Sequence, residues 1–523
     1  MVQYLNNNNS GFAQWAAGRD AAKKPSFFSG LFGWLVVFLL SWWLLSLWLS
    51  PKTDNVNTIS NDEPVVVDLS SVPTSDISSD KIFATVQGLR VSNIKLSDFK
   101  ASVSDDSDSV TLVSGDGAFI EVGLTPSGTT APDIKTVWKS TDGKMSWRNS
   151  DHIDFTRTVT ANNYLITITD TIKNNSGRNV SFAPYAHILR YNNMKSSSGV
   201  YNGSIVYANS KIEHEDWARF DKKSYAYSTV SGFAGFVDQY WETVASIDSN
   251  DQTISIKKQG DLYSANIKAE SVSVAPGESK DITTNIYVGP RDSKILNTAS
   301  AAIPGIARSI DYGWFWFLSR PMVWSLNLLD GLVSNYGIAI IIFTILVRIL
   351  MWPLTRKSYV STLAMQKMQP ELQKIQSLYP NDKQRQQMEM MRLYQKNKTS
   401  PMSGCLPMLI QIPIFFALYK ALLLSVQMRS AHFLWISDLS VMDPYFILPI
   451  LMGATMWVQQ YLQSPGNTKN KNDMAAQTQK VMKWMPIMFT VMFAWMPAGL
   501  VLYWTVSNIF GIVQMYIIKR GSK

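Results

Sequence analysis

A single cysteine, Cys405, stands in 523 residues, so neither an intrachain disulfide nor a multi-cysteine metal centre can form. The four histidines, His152, His187, His214 and His432, are widely scattered, and no metal site is expected. Charge is also scarce. Charged residues make up 17% of the chain against 46% hydrophobic, which is low for a cytosolic enzyme, and 18 Trp and 23 Phe are too many for a disordered polyelectrolyte. No Asp or Glu occurs from Met474 to the C-terminus. The chain also lacks a G-x-x-x-x-G-K-[ST] phosphate loop, an H-E-x-x-H zinc pair and a G-x-S-x-G elbow, and His214-Glu-Asp216 lacks a second histidine at zinc spacing. These absences count against nucleotide-driven or hydrolytic chemistry. Asp105-Asp-Ser-Asp108 lacks the glycine and closing glutamate of an EF-hand loop and reads as a solvated turn.

What is present is length for three or four domain-sized units, a net charge of +9, and apolar runs that divide the chain. A bilayer core of about 30 Å takes roughly 20 apolar residues in a helix. Phe27 to Leu49 is such a run, preceded by Arg19, Lys23 and Lys24 and without a small-x-small cleavage pattern, so it reads as an uncleaved anchor over 26–49 behind a cytoplasmic leader, 1–25. Residues 50–80 have a linker composition of Ser, Asp, Val and Pro. Over 81–295 the pattern alternates, as in Tyr164-Leu-Ile-Thr-Ile-Thr-Asp-Thr-Ile172 and Thr253-Ile-Ser-Ile-Lys257, with turn clusters at Asn174-Asn-Ser-Gly177 and Pro276-Gly277. That predicts one large antiparallel β-sandwich with no spanning run.

Residues 296–336 contain a connector and an aromatic stretch, Gly313 to Leu329, interrupted by Arg320-Pro321, which suits an interfacial amphipathic helix. The remainder, 337–523, holds apolar runs at Gly337 to Leu354, Cys405 to Val426, Tyr445 to Leu462, Met485 to Met496 and Ala498 to Ile518. With the anchor, six transmembrane helices are predicted. Residues 355–403 carry nine Lys+Arg against three Asp+Glu, whereas Gln427 to Pro444 has one Arg against Asp438 and Asp443, so short-loop charge places both termini in the cytoplasm and the β domain outside.

Between the second and third runs, Met365, Met368, Leu372 and Ile375 recur at helical spacing before Tyr379-Pro-Asn-Asp382 breaks the pattern. A second helical stretch follows, giving a cytoplasmic helical hairpin over 355–400. Twenty of the 23 methionines lie after residue 320. Their thioethers suit a surface that adapts to varied apolar partners, or equally ordinary packing.

Arg348 lies inside an apolar run, where a charge costs about 2.5 to 3.5 kcal/mol on insertion scales. Two readings are open: snorkelling toward the membrane surface, or a water-filled cavity. Thr344 lies one turn away, and Gln411, Gln459, Gln460, Ser507, Asn508 and Gln514 occupy other runs, with no carboxylate in any of the five C-terminal ones. Without carboxylates, a proton relay or cation site lacks its usual parts.

Asp311-Tyr-Gly-Trp-Phe315, the Arg348 helix ending Trp352-Pro-Leu-Thr355, Asp382-Lys-Gln-Arg385, Gly404-Cys-Leu-Pro407, Leu409-Ile-Gln-Ile-Pro-Ile-Phe415, Asp443-Pro-Tyr445, Leu448-Pro-Ile-Leu-Met-Gly453 and Pro497-Ala-Gly-Leu-Val-Leu-Tyr-Trp504, followed by Ser507-Asn508, resemble the YidC/Oxa/Alb family of membrane protein insertases. The resemblance is close over 311–523. It is looser in the β domain, at Phe236-Val-Asp-Gln-Tyr240 and Tyr287-Val-Gly-Pro290.

The resemblance implies a five-helix insertase core in the bacterial inner membrane, with an anchor and a non-catalytic periplasmic β-sandwich related in fold to sugar mutarotases, residues 50–310 being periplasmic. It implies a hydrophilic groove, open to cytoplasm and lipid, that receives nascent membrane proteins. Arg348 falls on the family's groove arginine, Thr344 and Trp504 fall on client-contacting positions, and 355–400 falls on the cytoplasmic region needed for insertion, with Met365, Met368, Asp382, Arg385 and Met391 as its candidate residues. Gln411, Gln459, Ser507, Asn508 and Gln514 complete the candidate groove. Implied partners are the Sec translocon, the ribosome and signal recognition particle pathway, and membrane lipids. No cofactor and no sequence-specific nucleic acid is implied. Position 504 is Trp where many relatives have Tyr, and only Lys519 to Lys523 follow the last run, so ribosome docking would fall to the cytoplasmic loops. The other classes left open are a transporter or flippase with an external sensory domain, and a membrane-anchored carbohydrate-binding protein.

Overall fold

A computed structural model describes residues 69–521 apart from 103–105, 116–117, 142, 192–200, 217–223, 260–261, 381, 398–405 and 464–473. The expected leader, the anchor and most of the linker lie outside the described residues, as do Cys405 and part of the Asp105 turn.

The alternating stretches form two antiparallel sheets, one of ten strands and one of nine, among the described residues. The first sheet centres on Ile120–Ser127, Val180–Tyr191, Leu262–Ala269 and Gln252–Gln259. The second centres on Trp241–Ile247, Ser279–Pro290, Leu165–Asn174 and Ile153–Asn162. Because side chains alternate across a strand, Ile166, Ile168 and Ile172 turn inward together, the first two against Ile286, Val244, Ile120, Ile188 and Ile267 and the third against Ile153, Phe155 and Phe182. The two tested strands therefore appear where the alternation places them. The sheets begin earlier than expected: Thr74–Ser78 is a strand inside what the composition reads as linker, because it pairs with Ile82–Gln87 along its whole length.

The core between the sheets is not wholly apolar. Arg157 and Asp170 face each other on neighbouring strands. Arg157 donates from Nε to Asp170 Oδ1 and from Nη2 to Asp170 Oδ2, both at 2.7 Å, and from Nη2 to the Val122 carbonyl of the other sheet at 2.9 Å. Both side chains are buried. The pair thus satisfies its own charges and fixes how the two sheets meet.

After the last strand, Asp292 accepts from the amides of Lys294 and Ile295 and caps helix α1, Ser293–Ala299, which crosses the boundary expected at 295. Helix α2 is Trp316–Val333, and it runs through Pro321 rather than breaking there. Trp316, Phe317 and Trp324 are exposed on it. Helices α3, Tyr336–Leu350, and α4, Trp352–Leu378, follow, then α5, Lys383–Lys396, and α6, Leu406–Leu424. Helices α7, Ile447–Gln463, α8, Met474–Phe493, and α9, Ala498–Gly521, complete the described chain. The hairpin is present as α4 and α5, and α8 starts well before the short run expected there.

Among the described residues only α9 is by itself long and apolar enough to cross a membrane; α3 with the first half of α4 qualifies as a second if their 62° bend is taken as one broken span. The count of six spans expected from hydropathy is therefore not reproduced. Several apolar runs divide between two helices or end in turns, as Gly337 to Leu354 does at Met351.

A second core, buried among α2, α3, α6, α7, α8 and α9, contains Leu326, Ile340, Phe343, Leu418, Leu422, Met452, Phe493, Val501 and Tyr503. The outer end of α6 belongs elsewhere: Leu423, Leu424 and Val426 are buried with the sandwich core. Gln239 donates to the Leu423 carbonyl at 3.1 Å, and Arg429 donates to the carbonyls of Lys100 and Ala101 at 2.9 and 2.8 Å. Asp292 Oδ2 also accepts from Asn327 of α2 at 3.2 Å and from Gln427 at 2.7 Å.

Candidate functional site

The site is built on one face of α9. Tyr503, Ser507, Gly511 and Gln514 recur at spacings of four, four and three, so they share a face. Toward that face come α3, α4, α6 and α7, each bringing a polar side chain into an otherwise apolar bundle.

Arg348 sits in the last turn of α3, where the partial negative charge of the helix end favours a cation. It is half-buried. Its Nε donates to Ser507 Oγ at 2.7 Å, and its Nη2 donates to the same oxygen. No carboxylate is ion-paired with it among the described residues. Between snorkelling and an interior position, the hydroxyl on α9 favours the interior: the guanidinium is turned into the bundle, its donors uncommitted to an anion among the described residues.

The other expected residues divide. Gln411 of α6 donates to Tyr503 Oη at 2.9 Å. Gln459 of α7 donates to Tyr359 Oη of α4 at 3.4 Å, and Gln514 donates to Thr355 Oγ1 of α4 at 3.3 Å. Asn508, buried, donates to Thr455 Oγ1 and to the Met452 carbonyl on α7, at 3.3 and 3.4 Å. These residues form one polar seam with Arg348. Thr344 is fully buried, and its hydroxyl donates to the Ile340 carbonyl of its own helix at 2.6 Å. Trp504 faces away from the seam, in an aromatic cluster with Phe415, Phe489 and Phe493 at ring distances of 5.1, 6.1 and 5.1 Å.

In the hairpin, Asp382 is an N-cap, its Oδ1 accepting from the Arg385 amide at 2.9 Å, and the Arg385 guanidinium lies over the Tyr379 ring at 5.2 Å. Met365 is half-buried, Met368 buried and Met391 exposed. The Asp382-Lys-Gln-Arg385 motif therefore closes the turn between α4 and α5.

Reading the sequence missed Thr355, Tyr359, Thr455 and Tyr503, the partners of the expected residues. The signal was available in spacing: Thr355 with Tyr359, and Thr455 with Gln459, are each one turn apart on a helix. It also missed Lys420, a cation inside the third apolar run, whose Nζ lies 3.0 Å from Asp311 Oδ2. That aspartate also accepts from the Gly313 amide at 2.8 Å, so the Asp311-Tyr-Gly-Trp-Phe315 motif forms a turn that both starts α2 and neutralises α6. The positive φ of Gly313, 73°, is what permits the turn. No group of three or more metal-ligating side chains occurs among the described residues.

A helical bundle with apolar residues exposed on its outside, an arginine on a hydroxyl within it with no ion-paired carboxylate among the described residues, and a β-sandwich joined to it have the character of a membrane protein with an outer domain. Residues 328–523 match the family model described as 60Kd inner membrane protein, and residues 75–325 match YidC periplasmic domain. Curated proteins named membrane protein insertase YidC are similar along most of the chain. That of Magnetococcus marinus is 35% identical over 411 residues, covering 75% of this chain and 72% of the relative, and that of a Ruegeria species is 32% identical over 498 residues, covering 84% and 81%. That of Marinobacter nauticus is 43% identical over 311 residues, covering 59% and 53%. A solved structure titled as an active YidC insertase is 19% identical, covers 86% of this chain and 95% of its own, and overlays with a TM-score of 0.37. The chain belongs to the YidC family of membrane protein insertases, with the family's periplasmic domain joined to its inner-membrane part.

Proposed function

We propose that the Arg348 seam receives the polar flank of a nascent inner-membrane protein while the client's apolar segment passes into lipid. The observation that carries this reading is the arginine itself, turned into the bundle onto Ser507 with no carboxylate paired with it among the described residues. About 20 apolar client residues gaining roughly 0.3 to 0.6 kcal/mol each supply on the order of 6 to 12 kcal/mol on entering lipid, so no nucleotide is required. The barrier lies in the polar flank, each charge of which costs about 2.5 to 3.5 kcal/mol in hydrocarbon. A hydrated seam with a fixed cation lowers that barrier, most of all for acidic flanks, without covalent chemistry, cofactor or metal.

The remaining features are part of the same proposal: six spans with both termini cytoplasmic, residues 50–310 periplasmic, the 355–400 hairpin meeting the client first, and cooperation with the Sec translocon, the ribosome, the signal recognition particle pathway and lipids. The experiment is site-specific photocrosslinking to a ribosome-bound single-span client, with probes at Ser507, Gln411 and Trp504 and a control at exposed Ile450 on α7. Crosslinks from Ser507 and Gln411 above the control support the seam as client path; the same yield from Ile450 would sink it.

A further inference from the structure

The seam has a second layer, and it is built differently from the first. Next along α9 from Ser507, Gln514 donates to Thr355 Oγ1 at 3.3 Å, and Gln459 of α7 donates to Tyr359 Oη at 3.4 Å. Both bonds are long, both join uncharged groups, and both hold the first two turns of α4. Gln514 is fully buried, and its Oε1 has no hydrogen-bond partner among the described residues. An enclosed carbonyl left in this way costs free energy that a partner would recover.

In its packing, α4 meets α9 through Trp352, edge-on to Phe510 at 6.4 Å, and through one small apolar cluster. Tyr359 and Leu363 meet Leu462, Met515 and Ile518 in a small cluster separate from the main helical core. Gly511 lies directly beneath the Gln459 amide: a Cβ there would come within 2.7 Å of Gln459 Nε2 and 3.4 Å of Tyr359 Oη. The bare backbone is what lets the amide reach the tyrosine. At the other side of the layer, α4 leaves α3 at a 62° bend. Thr355 ties the bend to α9, since its hydroxyl also donates to the carbonyls of Met351 and Trp352, at 3.0 and 3.1 Å.

We propose that the first two turns of α4 are a lid over the Arg348 layer, hinged at Met351 and latched by Thr355–Gln514 and Tyr359–Gln459, which parts to admit the client's polar flank. This rests on the client path proposed above. A latch of neutral groups does not select by charge, so its opening serves acidic and neutral clients alike, whereas Arg348 distinguishes them. Once open, the latch leaves hydroxyl and amide groups along the entry, with which a polar chain exchanges hydrogen bonds in turn.

The test uses the full chain in proteoliposomes, in a Cys405→Ser background, with Leu363→Cys and Leu462→Cys, two packing residues of the small apolar cluster, joined by a reducible bis-methanethiosulfonate spacer. Insertion is measured for two single-span clients, one with an acidic and one with a neutral translocated tail. Bridging should stop insertion of both, and reduction should restore it. Insertion by the bridged protein at the unbridged rate overturns the lid. Should the unbridged pair be inactive, Leu363→Cys with Met515→Cys applies the same clamp within the same cluster and is read by the same two outcomes. Failure of the Cys405→Ser parent to insert either client would instead overturn the insertase path on which the lid depends.

Discussion

Arg348 and Ser507 meet across the interface of α3 and α9, the guanidinium directing two of its donors at one hydroxyl oxygen. A hydroxyl orients an arginine without neutralising it, which an aspartate at the same place would do. The expected consequence is graded. Ser507→Ala should leave the charge but release its orientation, slowing insertion of clients with acidic tails by about tenfold to a hundredfold and neutral ones less, given the roughly 1.5 to 3 kcal/mol of a hydrogen bond to a charged group. Arg348→Ala should exceed it, and Ser507→Thr should restore most of the rate. Initial insertion rates for the two client types check this; equal losses on both would remove the electrostatic part.

The Arg157–Asp170 pair should weigh heavily on the sandwich. Removing one member leaves the other charged and buried, which costs about 3 to 5 kcal/mol. Asp170→Ala should therefore destabilise the domain by that order in denaturant unfolding. Replacing both with Met and Leu should recover a large share, because no orphaned charge is left.

A buried carboxyl and a half-buried imidazole in the sandwich should give opposed pH dependences. Burial pushes the Glu242 carboxyl from 4.5 up to about 7, although Arg291 and the Ser309 hydroxyl favour its charged form. Burial first, and then Arg291, push His214 from 6.5 down to about 4. The folded state holds the Glu242 proton more tightly than the unfolded chain, so this contribution falls as pH rises from 4.5 to 7. The folded state holds a His214 proton less tightly, so its contribution is lost as pH falls from 6.5 to 4. Each amounts to at most about 3 kcal/mol, and they nearly cancel where the windows overlap. Glu242→Gln should leave stability that climbs with pH across the His214 window, and His214→Gln stability that declines across the Glu242 window. Thermal unfolding of both variants from about pH 4 to about pH 8 reads the two slopes.

At the hairpin, Asp382→Ala should cost about 1 kcal/mol of local stability by removing the cap of α5. Amide hydrogen exchange in Lys383–Lys396 should quicken by about fivefold, while exchange in the sandwich strands stays unchanged.

The sandwich was legible because alternation is local: Tyr164 to Ile172 and Thr253 to Lys257 carry their faces in their own residues. The strand Thr74–Ser78 was not, since Thr-Ser-Asp-Ile-Ser has no apolar face and becomes a strand only through its partner Ile82–Gln87. In the helical part, composition marked the apolar runs but not where they bend; the break at Met351 depends on what α4 meets after Pro353. Arg348, Ser507, Asn508 and Gln514 were legible as polar residues in apolar surroundings, and the structure joins them in one seam. Thr344 and Trp504 were equally conspicuous, yet one is spent on its own helix and the other faces aromatic rings. Polarity can be read from one chain segment, whereas facing is a relation between two. Asp382 and Arg385, singled out by motif, act on the turn that carries them.

The outer end of α6, where Leu423, Leu424 and Val426 enter the sandwich core, makes that core part of the helix's own support. The β domain then acts as a socket. A helix whose tip is seated in a folded domain resists sliding along its axis and turning about it, so α6, which carries Gln411, gives the seam a fixed wall. On the proposed client path, motion during insertion would fall to the helices that lack such a seat, and the mass outside the membrane would act as ballast for the wall that stays still.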